Sequence, residues 1–204
     1  MQRILIITGV VAAIALVVLV NAFYIVRIDQ QAIVVQFGRS VDVVNEGESD
    51  EAGLKIKVPF LQNVLFYDKR NLGFDLAEQE IIAGDQQRLI VDAIARWRIR
   101  DPLQFYRAAT TQQNGEEQLR QRMTAALRGV LGKAATPDIV SGRRAGLMGE
   151  IRDTLDATMA SFGVDIIDVR IRRADLPQAN SERVFERMKS ELRQKASQFR
   201  AEGE

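Results

Sequence analysis

The chain has 204 residues, with 28 Lys and Arg against 27 Asp and Glu for a net charge of +1, and it contains neither Cys nor His. That balance leaves no electrostatic footprint for nucleic acid. Without His or Cys there is no Ser-His-Asp or Cys-His catalytic site, no zinc site of the usual ligand types and no disulfide. A carboxylate pair, a Ser-Lys dyad or an oxygen-ligand metal site remain open chemically.

From Ile4 to Val26 there is no charged side chain, and the run is bracketed by Arg3 and Arg27. As a helix, this run would extend about 34 Å, enough for a hydrocarbon core of about 30 Å. Fifteen of its residues are Ile, Leu, Val or Phe, favouring insertion by about 4 to 9 kcal/mol. The run also exceeds the apolar length of about 7 to 15 residues usual in a cleaved signal peptide. An uncleaved transmembrane anchor over residues 1–28 is therefore expected, with Ile4, Val10, Leu16 and Val20 facing lipid. Arg3 on one side and Arg27 and Arg39 on the other leave its orientation open.

Residues 29–102 read as a strand-rich subdomain, because short alternating runs are separated by turn residues. Ala32 to Phe37 is one such run, closed by Gly38. In the next, Leu54, Ile56 and Val58 share a side opposite Lys55 and Lys57, and Pro59 ends it. Val64 to Tyr67 is a third. After a Gly84-Asp85 turn, Leu89, Val91, Ala93, Ala95, Trp97 and Ile99 all fall on one face of a long strand, which Asp101-Pro102 stops. Pro59, Phe60 and Leu61 place apolar bulk at a strand end beside basic side chains, a pattern suited either to a membrane surface or to the lid of a core.

Residues 103–178 change to helical period. Leu119, Met123, Leu127 and Leu131 step by four, as do Leu147, Ile151, Leu155 and Met159, giving two amphipathic helices parted near Thr136-Pro137 and Gly142. Gly163 ends the second, and Ile167, Val169 and Ile171 alternate with charged residues in one more strand before Leu176-Pro177. Residues 179–204 read as the start of a polar helix with Phe185, Met188, Leu192 and Phe199 at coiled-coil core spacing and Lys195 interrupting the seam. So narrow a stripe calls for a neighbouring subunit.

Catalytic and ligand motifs are weak. Glu48, Asp50 and Glu51 read as a solvated loop, and Gly129 to Lys133 lacks the first Gly and the Ser/Thr of a phosphate loop, so it reads as a helix end. Ser190 beside Lys189 and Ser197 near Lys195 are nominal dyads on a charged helix, with nothing to depress the lysine pKa. No enzyme, cofactor or metal site is expected.

Several blocks in order resemble the SPFH, or band 7, family of stomatins, prohibitins and the bacterial HflK and HflC proteins. They are Ala32 to Gly38, Gly53 to Phe60, Val64 with Asp68 and Arg70, Val91 to Ile99 with Asp101-Pro102, and Val169 to Ile171 with Leu176-Pro177. Arg187 to Glu191 is similar to the opening of the family's long C-terminal helix. Only three residues precede the apolar run, where HflK members carry a long polar segment, and the proline-bent hairpin and cysteines of stomatins are missing, so the HflC branch fits best. The family's usual Pro-Gly is Ala52-Gly53 here, and its Gly-rich turn after the anchor is Asp29-Gln30-Gln31. The resemblance implies an α+β fold: a transmembrane helix, a small mostly antiparallel sheet subdomain, a helical α/β subdomain and a coiled-coil helix that the chain leaves at Glu204. It further implies a non-enzymatic scaffold in the bacterial inner membrane with its bulk in the periplasm. Partners would be an HflK-like sister protein, the protease FtsH and membrane lipids, within a large closed hetero-oligomer. A stomatin-like organiser of lipid shares the fold.

Overall fold

The computed structural model describes residue 9, residues 16–47 and residues 49–175. It is a mixed α/β structure with eight strands among the described residues. Residues 16–22 are helical (α1). Strands β1 (Phe23–Val26) and β4 (Gly53–Ile56) form an antiparallel two-stranded ribbon. In a second sheet β2 (Gln30–Gln36) lies between β3 (Arg39–Val44) and β5 (Gln62–Asp68), antiparallel to both. A third sheet has the order β6 (Leu72–Ile82), β7 (Arg88–Ile99), β8 (Val164–Asp175). The remaining helices are α2 (Pro102–Ala108), α3 (Gln112–Leu131) and α4 (Arg144–Met159), with a π-helical turn at Asp138–Gly142.

Local chemistry accounts for most of these elements. In β7 the six alternating apolar residues are all buried, whereas Arg96 and Arg98 on the other face are exposed. Strand β2 departs from alternation: Gln31 to Val35 are all buried, as happens to a central strand covered on both faces. Asp101 ends β7 and also begins α2, because its Oδ1 accepts from the Gln104 N–H at 2.9 Å and Pro102 occupies the first helical position. The stripes of α3 and α4 are buried at every position predicted from the spacing. Truncating Leu127 or Leu155 to Ala would cost about 2 to 5 kcal/mol, since the surroundings collapse only partly into the hole.

The described chain divides into two compact units. One comprises Met1–Phe74, Ala95–Arg122 and Arg152–Asp168; the other comprises Asp75–Ile94, Met123–Ile151 and Val169–Glu204. In the first, Phe105 sits edge-on to Tyr67 with ring centroids 5.3 Å apart and lies 6.3 Å from Trp97. A Cβ at Gly115 would come within 2.4 Å of the Phe105 ring, so only glycine lets the helix approach. Gln31, wholly buried, donates to the Ile99 carbonyl at 3.0 Å. In the second unit the Gly84 N–H donates to the Ala134 carbonyl at 2.8 Å, and Asp85 accepts from the backbone and hydroxyl of Thr136. Arg144 donates to the Ile171 carbonyl on β8.

Three differences from the sequence expectations have physical causes. The apolar run is not one helix to Val26: its last four residues form β1, where β-branched and aromatic side chains suit a pleated surface and Val26 joins a buried cluster with Ala32 and Val44. In β8, Ile167 is exposed instead of sharing a face with Val169 and Ile171, because the buried positions pass from Val164 and Ile166 to Val169 and Ile171 and the parity changes between them. Strand β6 escapes the period-2 reading for the same reason, since Phe74 and Leu76 are buried but so is Ile81, five residues on.

Candidate membrane-contact surface

Many of the exposed apolar side chains of the first unit lie on α1, on one face of the ribbon and in two neighbouring tips, while Ile28, Val41 and Phe66 are exposed elsewhere. Residues Leu16 to Val20 of α1 are exposed at five successive positions, more than one full helical turn, so no face of this segment packs on the described protein. The Ala22 carbonyl accepts from the Lys57 N–H at 2.8 Å, which ties the end of α1 to the end of β4. Along the ribbon, Phe23 pairs with Ile56 and Ile25 with Leu54, and all four are exposed on one face. The opposite face carries Val26 and the partly buried Tyr24, which pack against Ala32, Val44 and Val64.

Beyond Lys57, a tight loop presents Val58, Pro59, Phe60 and Leu61. It is closed by the Gln62 N–H on the Val58 carbonyl (3.0 Å) and the Val58 N–H on the Gln62 side chain (2.7 Å). Gln62 stands opposite Gln36 in the sheet, and their side-chain amides meet at 3.4 Å. Gln36 is followed by the Phe37-Gly38 tip of the β2–β3 hairpin. Phe37 and Phe60 therefore occupy neighbouring tips, 82% and 81% exposed, each with a left-handed backbone at φ 49° and 66°. A bulky residue there is unfavourable by roughly 1 to 2 kcal/mol, and glycine would fit both turns better.

Of the residues singled out from sequence, Leu16, Val20, Phe60 and Leu61 are exposed in this region and Pro59 is half-buried. Phe60 takes no part in a core. Ile4 and Val10 lie outside the described residues, as do Phe185, Met188, Leu192 and Phe199 and the Ser-Lys pairs at 189–190 and 195–197. Phe37, Phe23, Ile25 and Leu54 were legible in the sequence only as members of a strand or of the apolar run, not as contact residues. An aromatic immediately before a turn glycine was the available signal for Phe37.

Asp68 grips Arg70 through two side-chain bonds of 3.1 and 2.8 Å, and these hold its carboxyl below the usual range. Burial, then the neighbouring Tyr106, pushes the Tyr67 phenol up to about 12, and its hydroxyl donates to the Thr110 carbonyl at 2.7 Å. Among the described residues no group of three or more Asp, Glu, His or Cys could hold a metal, and no helix is long and apolar enough to cross a membrane.

The family description "SPFH domain / Band 7 family" matches residues 24–204. The chain belongs to that family. Its relatives include "Modulator of FtsH protease HflC" of Escherichia coli (strain K12), 27% identical over 94% of this chain and 70% of that protein. "Protein HflC" of Buchnera aphidicola subsp. Schizaphis graminum is 27% identical over 90% of this chain and 66% of its own length. "Protein HflC" of Haemophilus influenzae is 29% identical over 75% and 54% respectively. The SPFH match begins at Tyr24, inside β1, so the ribbon belongs to the family domain.

Proposed function

We propose that the chain is an HflC-like modulator of the membrane protease FtsH. In this reading it is a non-enzymatic scaffold anchored once in the bacterial inner membrane, with its bulk in the periplasm. It joins an HflK-like sister in a large closed assembly. The observation that carries the reading is the family match over residues 24–204 together with the relative named for FtsH modulation. The proposed division is an anchor over 1–28, a strand-rich part over 29–102, a helical α/β part over 103–178 and a coiled-coil start over 179–204.

The exposed helix α1, the ribbon face and the two phenylalanine tips support a protein resting on lipid at the foot of its anchor. A run of neighbouring exposed apolar side chains of this kind marks an interaction surface. The same patch favours a second reading, a stomatin-like organiser of lipid that has no protease partner.

Affinity purification of the full chain from bacterial membranes in mild detergent separates the two. The first reading expects FtsH and an HflK-like protein to co-purify in stoichiometric amount, and turnover of an FtsH membrane substrate to change when the chain is removed. Recovery of lipid without either protein, with unchanged turnover, would replace it by the second. For topology, protease added to spheroplasts should digest residues beyond the anchor.

A further inference from the structure

We propose that the cleft at the Val26–Gly53 end of the ribbon binds the headgroup of a membrane phospholipid bearing a primary amine. Its phosphodiester would lie on Arg27, Lys69 and Arg70, and its ammonium on Asp50. This rests on the membrane-contact reading, which it extends from apolar contact to recognition of a headgroup.

The cleft is open, about 920 Å³, and its charged lining is Arg27, Lys69 and Arg70 with Asp29 and Asp50. With Asp50 set against the ammonium, the three cations and Asp29 leave a net positive face toward the phosphodiester. The lining also includes Ile28, which is 77% exposed, and Val26 and Gly53, the pair next to Ile25 and Leu54 at the end of the apolar strip that starts at Phe23 and Ile56. Since β1 spans only about 13 Å, acyl chains lying along that strip would bring the headgroup to the cleft.

The three cations keep unused donors. Arg27 approaches Asp29 with its Nε 3.1 Å from the carboxylate, and Arg70 engages Asp68 through Nε and Nη2. Both guanidiniums are more than half exposed, where such pairs are weak because water screens them. A phosphate oxygen therefore competes with them on favourable terms, especially as guanidinium binds phosphate in bidentate fashion. Lys69 is held in place, donating to Asn45 Oδ1 at 3.0 Å and to the Ser49 carbonyl at 2.7 Å, with one of its three N–H groups to spare.

Asp50 makes no hydrogen bond or ion pair with any described residue and sits in the same lining. A primary ammonium can donate to it, whereas the trimethylammonium of choline has no N–H to give. A free inorganic phosphate would meet Asp50 as a repulsive charge and would gain nothing from Ile28 and the apolar strip.

Calorimetric titration of the full chain in a non-ionic detergent tests this. The probes are dihexanoyl phosphatidylethanolamine, dihexanoyl phosphatidylcholine, glycerophosphoethanolamine and inorganic phosphate. The ethanolamine lipid is expected to bind about tenfold more tightly than each of the others, a preference of the size that one charge-assisted bond supplies. Asp50→Asn should abolish the preference over the choline lipid at an unchanged thermal midpoint, and Arg27→Gln with Arg70→Gln should weaken both lipids. Equal binding of the two lipids, phosphate binding as tightly as lipid, or an intact preference in Asp50→Asn would each overturn the proposal. Sedimentation of the same protein with vesicles after Phe37→Ser and Phe60→Ser reports on the membrane-contact reading separately.

Discussion

The side-chain amide of Asn45 donates to the Gln30 carbonyl at 2.6 Å, and this bond ties the end of β3 to the turn that leads from β1 into β2. Asn45 is 1% exposed, its amide also reaches the carbonyls of Arg27 and Ile28, and its oxygen accepts from Lys69. Its φ of 60° is one that asparagine tolerates better than most residues. The first residues beyond the ribbon are thus held by one buried polar side chain.

Asn45→Ala is expected to lower stability by about 3 kcal/mol, because buried carbonyls lose their donor and alanine resists a left-handed backbone. Asn45→Gly keeps the backbone freedom but not the bonds, so its loss should be the smaller of the two. Thermal unfolding of both variants in detergent checks this, and equal midpoints for Asn45→Ala and wild type would contradict it.

Phe37 and Phe60 are expected to reside in the lipid interface. With Trp97 fully buried, a tryptophan placed at either position by Phe37→Trp or Phe60→Trp reports on its own surroundings. Lipids brominated near the headgroup should quench the new fluorescence strongly and leave that of Trp97 nearly unchanged. Phe37→Gly should raise the thermal midpoint slightly by relieving the left-handed strain. Quenching no greater than for Trp97 alone would remove these tips from the membrane.

Tyr67 sets an alkaline limit. Its phenol is neutral in the fold up to about pH 12, whereas an unfolded tyrosine ionises near its ordinary value of 10.0. The stabilisation is therefore complete below pH 10 and is lost as pH rises from there through about 12. An ultraviolet titration should show one of the three tyrosines ionising last. Tyr67→Phe should remove that step and flatten the decline of stability across the same window.

Phe185, Met188, Leu192 and Phe199 are proposed as a seam against the HflK-like neighbour. Changing Leu192→Asp should abolish the co-expressed assembly in size-exclusion chromatography while the circular dichroism melt of the remaining monomer is unchanged. An intact complex would sink the seam. Association should also need the anchor, because the seam from Phe185 to Phe199 spans only 15 residues, about the length at which an isolated helix is marginal in water.

Sequence by itself determined the elements whose information is local. The alternation from Leu89 to Ile99 and the step-four stripes of α3 and α4 each state a period and a buried face, and Asp101-Pro102 states a boundary. It also set the family blocks and the absence of His and Cys chemistry. Tertiary structure alone decided that Phe23–Val26 leaves the apolar run to pair with Gly53–Ile56, and that Leu54 and Ile56 then face outward instead of into a core. It alone brought Phe37 beside the Phe60 loop through the Gln36–Gln62 register, and Arg27 beside Asp50, Lys69 and Arg70. A period of two fixes which side chains share a face but not which face is covered, nor which distant strand supplies the partner. Those depend on long-range backbone pairing, which no short window of residues encodes.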